Sequence, residues 1–366
     1  MLPIFAALVA ASTAVLIFAG GLVTSTGSGL SVPDWPNTYG WFMWTFPLSK
    51  MVGGIFYEHL HRLVASTVGF LIVVLAIWLW KAEPRPWVRR LGYLALAAVI
   101  TQGILGGITV LWYLPDAISI AHASLAQIVF CLTTTIALVT SRGWQSGYVE
   151  SRIPNPESRR DATLEAIAII TTMAIYVQIV LGATMRHTGA GLAIPDFPLS
   201  FGHVIPTHWD PKIAVHFAHR AGAMAVALLI AATSGHVLYH HRGRRELVRP
   251  AILLLVLVAL QIALGALTVL SQKQFIINSL HVVNGALVLV TSLVLTLRAH
   301  YSRFAGSASP GTYAPRDPAH VRGAGSTAGE NLRPNRRPRR RQRPPSPARQ
   351  SSRSADWRTA LPLTRL

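Results

Sequence analysis

Long apolar stretches separated by short polar segments dominate the first 300 residues of the chain. Eight of these stretches have the length of roughly 20 residues that an α-helix needs to cross a bilayer. They cover about residues 4–24, 52–80, 91–112, 117–140, 163–185, 212–239, 250–270 and 275–298. We therefore predict an all-α membrane protein with eight transmembrane helices.

The two halves of this apolar region repeat one set of motifs in the same order. The segment TGSGLSVPDWP at 26–36 returns as TGAGLAIPDFP at 188–198. Two further groups also return: His61-Arg62 as His219-Arg220, and Gln102, Gly106, Thr109 and His122 as Gln261, Gly265, Thr268 and His281. Since four helices return the chain to its starting side, the repeat predicts two pseudo-symmetric four-helix bundles in parallel topology.

The repeat and the composition divide the chain into four segments. We predict an N-terminal four-helix bundle over 1–140, a polar cytoplasmic linker over 141–162 and a C-terminal four-helix bundle over 163–300. Beyond residue 300 the chain is rich in Arg, Pro, Ser and Gly, with too few apolar residues to form a core. We expect 301–366 to be a disordered cytoplasmic tail.

The distribution of charge predicts the orientation in the membrane. Charged residues make up only 13% of the chain, about half the usual share, yet the formal net charge is +19. Lys and Arg concentrate in alternate loops and in the tail, so the positive-inside rule places both termini in the cytoplasm. We predict a multi-pass protein of the cell inner membrane. The same placement argues against a nucleic-acid partner.

Two features concern processing and redox chemistry. The first apolar run follows Met1 without a basic segment before it or a small-residue cleavage site after it, so we expect a retained helix. Cys131, in the fourth run, is the single cysteine. No intrachain disulfide can form, and packing is its expected role.

Four histidines lie at matched places inside the apolar runs: His61, His122, His219 and His281. Each is roughly 6–9 residues, or about 9–14 Å, from the same side of the membrane. A single intramembrane histidine most often makes a helix–helix hydrogen bond, but four at one depth with repeated neighbours favour metal ligation. Zinc would want three or four protein ligands in each half. Haem needs only two axial imidazoles from facing helices, so the pattern favours two haem sites.

An arginine directly follows one histidine in each half. Arg62 and Arg220 need anions if they lie in the bilayer, and haem propionates would accept bidentate hydrogen bonds from them. The alternative is that both side chains extend to the lipid headgroups.

The halves differ in one charged residue. Glu58 lies three residues before His61, on the same helical face, whereas His216 lies three residues before His219. A carboxylate in the membrane is a candidate proton relay or a stabiliser of positive charge. Its structural alternative is a salt bridge to Arg62 or His59. The difference suggests one reactive site and one electron-carrying site.

At these residues the chain resembles the heme A synthase family of inner-membrane proteins. The resemblance covers nearly all of residues 1–300 and is carried by the segment 26–36, by EHLHR at 58–62, by the block from Gln102 to His122, and by their repeats. It implies oxidation of a methyl group of haem O to the formyl group of haem A, the cofactor of terminal cytochrome oxidases.

The resemblance also implies roles for individual residues. His61 and His122 would bracket the substrate haem O, with Glu58 as the catalytic residue beside it. His219 and His281 would hold a permanent haem b, which passes electrons. Some members of the family carry a cysteine pair in the outer loops; this chain has none, so a mechanism that needs those thiols does not apply.

Two other functions use some of the same features. A dihaem membrane cytochrome b that exchanges electrons with quinone needs the same four histidines but gives Glu58 no chemical task. A transporter built from parallel repeats would usually place its polar residues at mid-membrane. The partners we expect are haem O and the lipid bilayer. A haem O synthase, an electron partner of unknown identity and a second copy of the chain stay open.

Overall fold

The computed structural model describes residues 1–146, 161–301 and 304, and these residues form helices and loops with two isolated β-bridges. Eight of the described helices are long and apolar enough to cross a membrane. Labelled α1 to α8 in chain order, they are Leu2–Ser25, Gly53–Ala82, Pro86–Leu111, Asp116–Thr140, Ala162–His187, Pro211–His240, Arg245–Leu270 and Phe275–Ala299. The predicted all-α membrane fold is confirmed.

Two helices begin earlier than the hydropathy pattern predicts. Both α3 and α7 start five residues before the predicted apolar runs (91 − 86 and 250 − 245). Their first turns contain basic residues such as Arg89 and Arg245. A helix does not have to stop at the edge of the hydrocarbon core, so its first turn can continue among the polar headgroups.

Side-chain caps define the starts of three helices in the second half. The Asp210 carboxylate accepts hydrogen bonds from the N–H groups of Lys212 (2.7 Å) and Ile213 (2.9 Å) at the start of α6. The α5 and α8 helices start in the same way: Asp161 accepts one backbone N–H of α5, and Gln274 accepts one of α8. These bonds satisfy backbone donors that a helix start leaves unpaired.

Within each half, four helices contact one another in a closed ring. In the first half α1 packs on α2, α2 on α3, α3 on α4, and α4 on α1. In the second half α5 to α8 repeat this order, and α8 contacts α5. The arrangement is compatible with the predicted pair of pseudo-symmetric bundles.

The two rings meet along α1, α4, α5 and α8. At this contact Ile17 and Phe130 pack with Ala286 of α8 in one buried cluster, and Cys131 lies half-buried against it. Near one end of the contact, the Arg186 guanidinium of α5 donates to the Gly21 carbonyl (2.9 Å) and to Ser25 Oγ (2.8 Å) of α1.

The two longest described loops lie at the same end of the bundle, because each follows an odd-numbered helix. We call residues 26–52 the first long loop, 188–210 the second long loop, and this end the long-loop end. The predicted linker 141–162 is described only at its ends, and the predicted tail 301–366 lies outside the described residues apart from Tyr301 and Phe304. The predicted domain boundaries stay predictions.

Candidate functional site

The four repeated histidines lie at similar depths in their helices, counted from the long-loop end. His61 and His219 are each eight residues into their helices (61 − 53 and 219 − 211). His122 and His281 are each six residues in (122 − 116 and 281 − 275). At a rise of about 1.5 Å per residue, these positions are about 9–12 Å from the helix starts.

Each half brings its two histidines within electrostatic range of each other from two helices that are not neighbours in the ring. His61 on α2 and His122 on α4 come from diagonal helices and are close enough to interact electrostatically. His219 on α6 and His281 on α8 do the same in the second half. All four residues are half-buried. Facing imidazoles from diagonal helices are the arrangement in which a helix bundle holds a haem between two axial ligands.

Three of the four imidazoles have a buried nitrogen without a hydrogen-bond partner. The atoms are Nδ1 of His61, His122 and His281. A buried polar atom without a partner is costly, and such atoms in a native structure require an explanation. A nitrogen that no protein group occupies is available to ligate iron, and such ligation accounts for keeping these imidazoles inside an apolar bundle. The donor set therefore fits haem.

Each imidazole also packs against a glycine on a neighbouring helix. A Cβ atom built on any of these glycines would lie 2.9–3.2 Å from Cε1 of the histidine, closer than nearly all real Cβ contacts. The pairs are Gly20 with His61, Gly106 with His122, Gly182 with His219 and Gly265 with His281. The glycines let the imidazole edges approach the neighbouring backbone, and this fixes where the rings can lie.

Glutamines tie three of the histidine-bearing helices to their neighbours. The side-chain amides of Gln102 and Gln261 donate to the carbonyls of His122 (2.9 Å) and His281 (3.1 Å). Gln178 donates to the carbonyl of His219 (2.8 Å), and its amide also lies 3.0 Å from Nδ1 of that imidazole.

The remaining histidine-bearing helix, α2, has no such glutamine contact among the described residues. The place of Gln178 in the first half, 162 positions earlier, is Leu16 (178 − 162). A leucine cannot hydrogen-bond His61, whose Nδ1 has no partner. The sequence analysis singled out Gln102 and Gln261 but missed Gln178, Gly20 and Gly182. Aligning α1 with α5 at the shift of the loop motif would have found them.

Arg62 fastens the first long loop to α2. Its guanidinium donates to the carbonyls of Val32 (2.8 Å), Asp34 (2.7 Å) and Asn37 (2.8 Å), and to Oε1 of Glu58 (2.7 Å). Carbonyl oxygens of the loop thus satisfy a buried cation. The loop folds over the end of α2 beside His61.

Arg220 does the same for the second long loop, with bonds to the carbonyls of Leu199 (2.8 Å), Ile194 (3.1 Å) and Asp196 (2.6 Å). Both arginines therefore position loops in the structure. The sequence analysis assigned them to haem propionates, and that role stays a prediction.

Glu58 and His216 occupy equivalent places (216 − 158 = 58) and contact equivalent groups. The N–H of Val32 donates to Glu58 Oε2 at 2.8 Å, and Arg62 donates to Oε1. In the second half the N–H of Ile194 and the Arg220 Nε each lie 3.2 Å from a nitrogen of His216. A carboxylate accepts both bonds, whereas a neutral imidazole accepts only one.

The salt bridge that the sequence analysis weighed as the structural role of Glu58 is thus present, and its partner is Arg62. His59, the other partner considered, instead pairs its Nδ1 with Thr38 Oγ1 at 3.0 Å. Glu58 is buried and one helical turn from His61. What distinguishes the two halves here is a negative charge, since the loop contacts are shared.

In each long loop, one aspartate carboxylate accepts two backbone hydrogen bonds and so stabilises the same turn. Asp34 accepts from the N–H groups of Tyr39 and Gly40 (2.8 Å each). In the second loop Asp196 accepts from Phe201 (2.8 Å) and Gly202 (2.9 Å). Partial burial would raise the pKa of Asp34, but these backbone hydrogen bonds lower it. Hydrogen bonds from Gly202 and Phe201 lower the pKa of Asp196.

The lowered aspartate pKa values predict a loss of stability in acid. A carboxyl group with a folded-state pKa below its unfolded value stabilises the fold above the unfolded pKa and loses that effect as the pH falls through the folded pKa. We therefore expect the thermal unfolding temperature to fall as the pH drops below 3.8, the ordinary aspartate value. The double variant Asp34→Asn, Asp196→Asn should show a smaller dependence in the same pH range. If the pH dependence of the unfolding temperature is unchanged in this variant, the two aspartates do not contribute to it.

These observations describe an eight-helix membrane protein with two pairs of histidines, each pair carried by diagonal helices, and a long loop held beside one histidine of each pair by the adjacent arginine. A family model described as cytochrome oxidase assembly protein (COX15-CtaA) matches residues 3–294. The match spans most of the chain, and the chain belongs to this family.

Curated relatives carry the name heme A synthase. The protein from Shouchella clausii is 30% identical over 260 residues, which cover 70% of this chain and 83% of the relative. Those from Halalkalibacterium halodurans and Symbiobacterium thermophilum are also 30% identical, over 76% and 74% of this chain and 91% and 87% of their own lengths. The resemblance inferred from the motifs is confirmed.

Proposed function

We propose that this protein is a heme A synthase, a membrane-bound oxidoreductase that converts a methyl group of haem O into the formyl group of haem A for cytochrome oxidase assembly. The observation that carries the proposal is the duplicated pair of facing histidines with a carboxylate beside only one of the pairs. Family membership and the curated relatives support it.

The two halves divide the work between substrate and cofactor. In the proposal His61 and His122 bracket haem O, and His219 and His281 hold haem b. The hydrogen bonds of Gln178 to His219 support this division, because an outer partner that orients a ligating imidazole favours permanent binding. His61 has Leu16 in that place, and a substrate has to be released after each turnover.

The bound haems supply the redox chemistry, namely oxidation of the methyl carbon and passage of the electrons. The protein supplies position and charge. The glycines against the imidazoles set the ligand geometry, and Arg62 and Arg220 hold the long loops beside His61 and His219. Glu58 holds a negative charge one turn from His61, where it stabilises positive charge at the reacting carbon or accepts a proton at Oε2.

Orientation and partners extend the proposal. The basic loops favour a cytoplasmic position for both termini, which would put the long-loop end on the outer side of the cell inner membrane. A haem O synthase as donor of the substrate, the electron partner and a homo-oligomeric state stay predictions.

The haems extracted from the purified protein test the function. When the cells that express it also make haem O, we expect chromatography to find haem B together with haem O or haem A. The expected proportion is one haem B and one substrate or product haem per chain. Two haem B groups per chain and no haem A would instead indicate a dihaem cytochrome b, and would overturn the proposal.

A further inference from the structure

Three metal-ligating side chains meet at the end of the bundle opposite the long loops. Asp161 directly precedes α5, His236 lies in the last turns of α6, and His241 directly follows that helix. Asp161 Oδ2 is 2.7 Å from Nε2 of His236 and 2.9 Å from Nε2 of His241. We call these three residues the Asp161 cluster.

This cluster is separate from the haem sites. His236 follows His219 by 17 residues along the same helix (236 − 219), which corresponds to about 25 Å. The two sites therefore lie near opposite ends of α6. Nothing in the proposed haem chemistry uses the Asp161 cluster.

The two oxygens of the Asp161 carboxylate make different contacts. Oδ1 accepts the N–H of Leu164 at 2.9 Å and caps α5. Oδ2 faces the two imidazoles. A cation bound at Oδ2 would leave the helix cap in place.

The other contacts of the Asp161 cluster leave its ligand atoms accessible. The side chains of Asp161, His236 and His241 are 24%, 20% and 14% exposed, so an ion can reach them from solvent. The nearby guanidinium of Arg244 is paired with Glu246 at 2.9 Å and does not compete for Oδ2.

The first half has other residues in place of the two histidines. The corresponding helix of the first half, α2, has the same length and direction, and its equivalents of His236 and His241 are Trp78 and Glu83 (236 − 158 and 241 − 158). Trp78 packs against Phe5, and Glu83 pairs with Arg85. The second half thus places two histidines and an aspartate where the first half uses packing and an ordinary ion pair.

We propose that the Asp161 cluster binds a divalent transition-metal ion, with Zn²⁺ as the ion that its ligands suit best. Two imidazole nitrogens and one carboxylate oxygen are ligands that zinc accepts, with water in the fourth position. The three ligand atoms already lie within 4.8 Å of one another.

To become a coordination site, the hydrogen-bonded cluster has to open both carboxylate–imidazole pairs and bring the two imidazole nitrogens, which lie within 4.8 Å of each other, to a similar spacing. Zinc bonds of about 2.0–2.1 Å separate tetrahedral ligand atoms by about 3.3 Å. The two carboxylate–imidazole pairs therefore have to open by about 0.5 Å. Both imidazoles then carry their proton on Nδ1 and present the lone pair of Nε2 to the ion.

The ion would join the start of α5 to the end of α6, two neighbouring helices of the second half. Because it binds the folded chain, it stabilises the fold by an amount that grows with the logarithm of its concentration over its dissociation constant. The proposed consequence is a zinc-dependent rise in the thermal unfolding temperature of the whole protein.

The test measures zinc on the full-length, haem-loaded protein. After treatment with a chelator, Zn²⁺ is added, excess is removed by dialysis, and retained zinc is measured by mass spectrometry alongside calorimetric titration. We expect about one zinc per chain in the unmodified protein. Asp161→Asn keeps an oxygen for the helix cap and, like His236→Gln and His241→Gln, should weaken binding at least tenfold.

His240→Gln is the matched control. Its ring lies 4.6 Å from that of His236, but its nitrogens do not belong to the Asp161 cluster, so we expect unchanged binding. The haem spectrum of each variant reports that the fold is intact. Equal zinc retention in all variants, or none in the unmodified protein, would overturn the proposal. Lower thermal stability of the three variants without any zinc dependence would show that the cluster acts only through its hydrogen bonds.

Discussion

Replacing Glu58 with histidine is expected to abolish haem A production while haem binding and the first long loop survive. The variant copies the arrangement of the second half, where His216 lies against the same loop N–H and the same arginine. The variant removes the negative charge, and it leaves one hydrogen-bond acceptor where the carboxylate has two. General acid–base or electrostatic assistance of this kind contributes about 100-fold or more, so we expect at least that loss of turnover.

Two measurements accompany this variant. Haem extraction gives the amount of haem B, haem O and haem A per chain, and the absorption spectrum reports the state of the iron ligands. We expect haem O to accumulate in the protein at the expense of haem A. His216→Gln removes the equivalent loop partner in the other half without removing a carboxylate, and it should keep haem A production.

The opposite result would change the role of Glu58. If Glu58→His makes haem A at the normal rate, the carboxylate serves only to hold Arg62 and Val32, as its hydrogen bonds show that it does. If the variant loses both haems, the salt bridge is needed for folding. In that case Glu58→Gln, which keeps one acceptor for the loop, separates the structural contribution from the chemical one.

Replacing Gly182 with alanine is expected to remove haem B from the second half while the helices stay folded. The new Cβ would lie 2.9 Å from Cε1 of His219, so the imidazole has to turn away. Turning also breaks the contact between Gln178 and Nδ1. We expect haem B to fall to less than half of its normal amount, with a change in the low-spin spectrum and a matching loss of haem A production.

Two glycine variants complete this experiment. Gly235→Ala lies on α6 in open space, with nothing within 4 Å of the new Cβ, and should leave both haems in place. Gly20→Ala would crowd His61 at 3.1 Å and should reduce bound haem O while haem B remains. Loss of the same haem in Gly20→Ala and Gly182→Ala would contradict the assignment of one haem to each half. An unchanged spectrum in Gly182→Ala would mean that His219 is not an iron ligand.

Much of the fold could be predicted because its causes are local. A bilayer demands about 20 consecutive apolar residues for each helix and leaves few alternatives to a helix. Each of the eight helices could therefore be predicted from its own apolar run. Only the polar first turns of α3 and α7 were missed. The repeat could be found because comparing one half of the chain with the other needs no further information.

The candidate ligands could also be predicted, since histidine is costly in lipid without a task. His61, His122, His219 and His281 were found in this way, and the motifs around them led to the family that the comparison confirms. The partners of these residues were harder to predict. Arg62 was paired with a propionate on the strength of its charge, whereas the structure gives it three loop carbonyls and Glu58.

The number of spans, the two-fold plan and the four histidines follow from the sequence alone, because hydrophobicity, spacing and repetition are properties of the chain. The contacts between distant groups become visible only once the helices are packed. Gly182 and Gln178 lie against His219, and Asp161 lies against histidines 75 and 80 positions away. Such contacts depend on the rotation of each helix about its axis and on the path of each loop, and neither is a local property of the sequence.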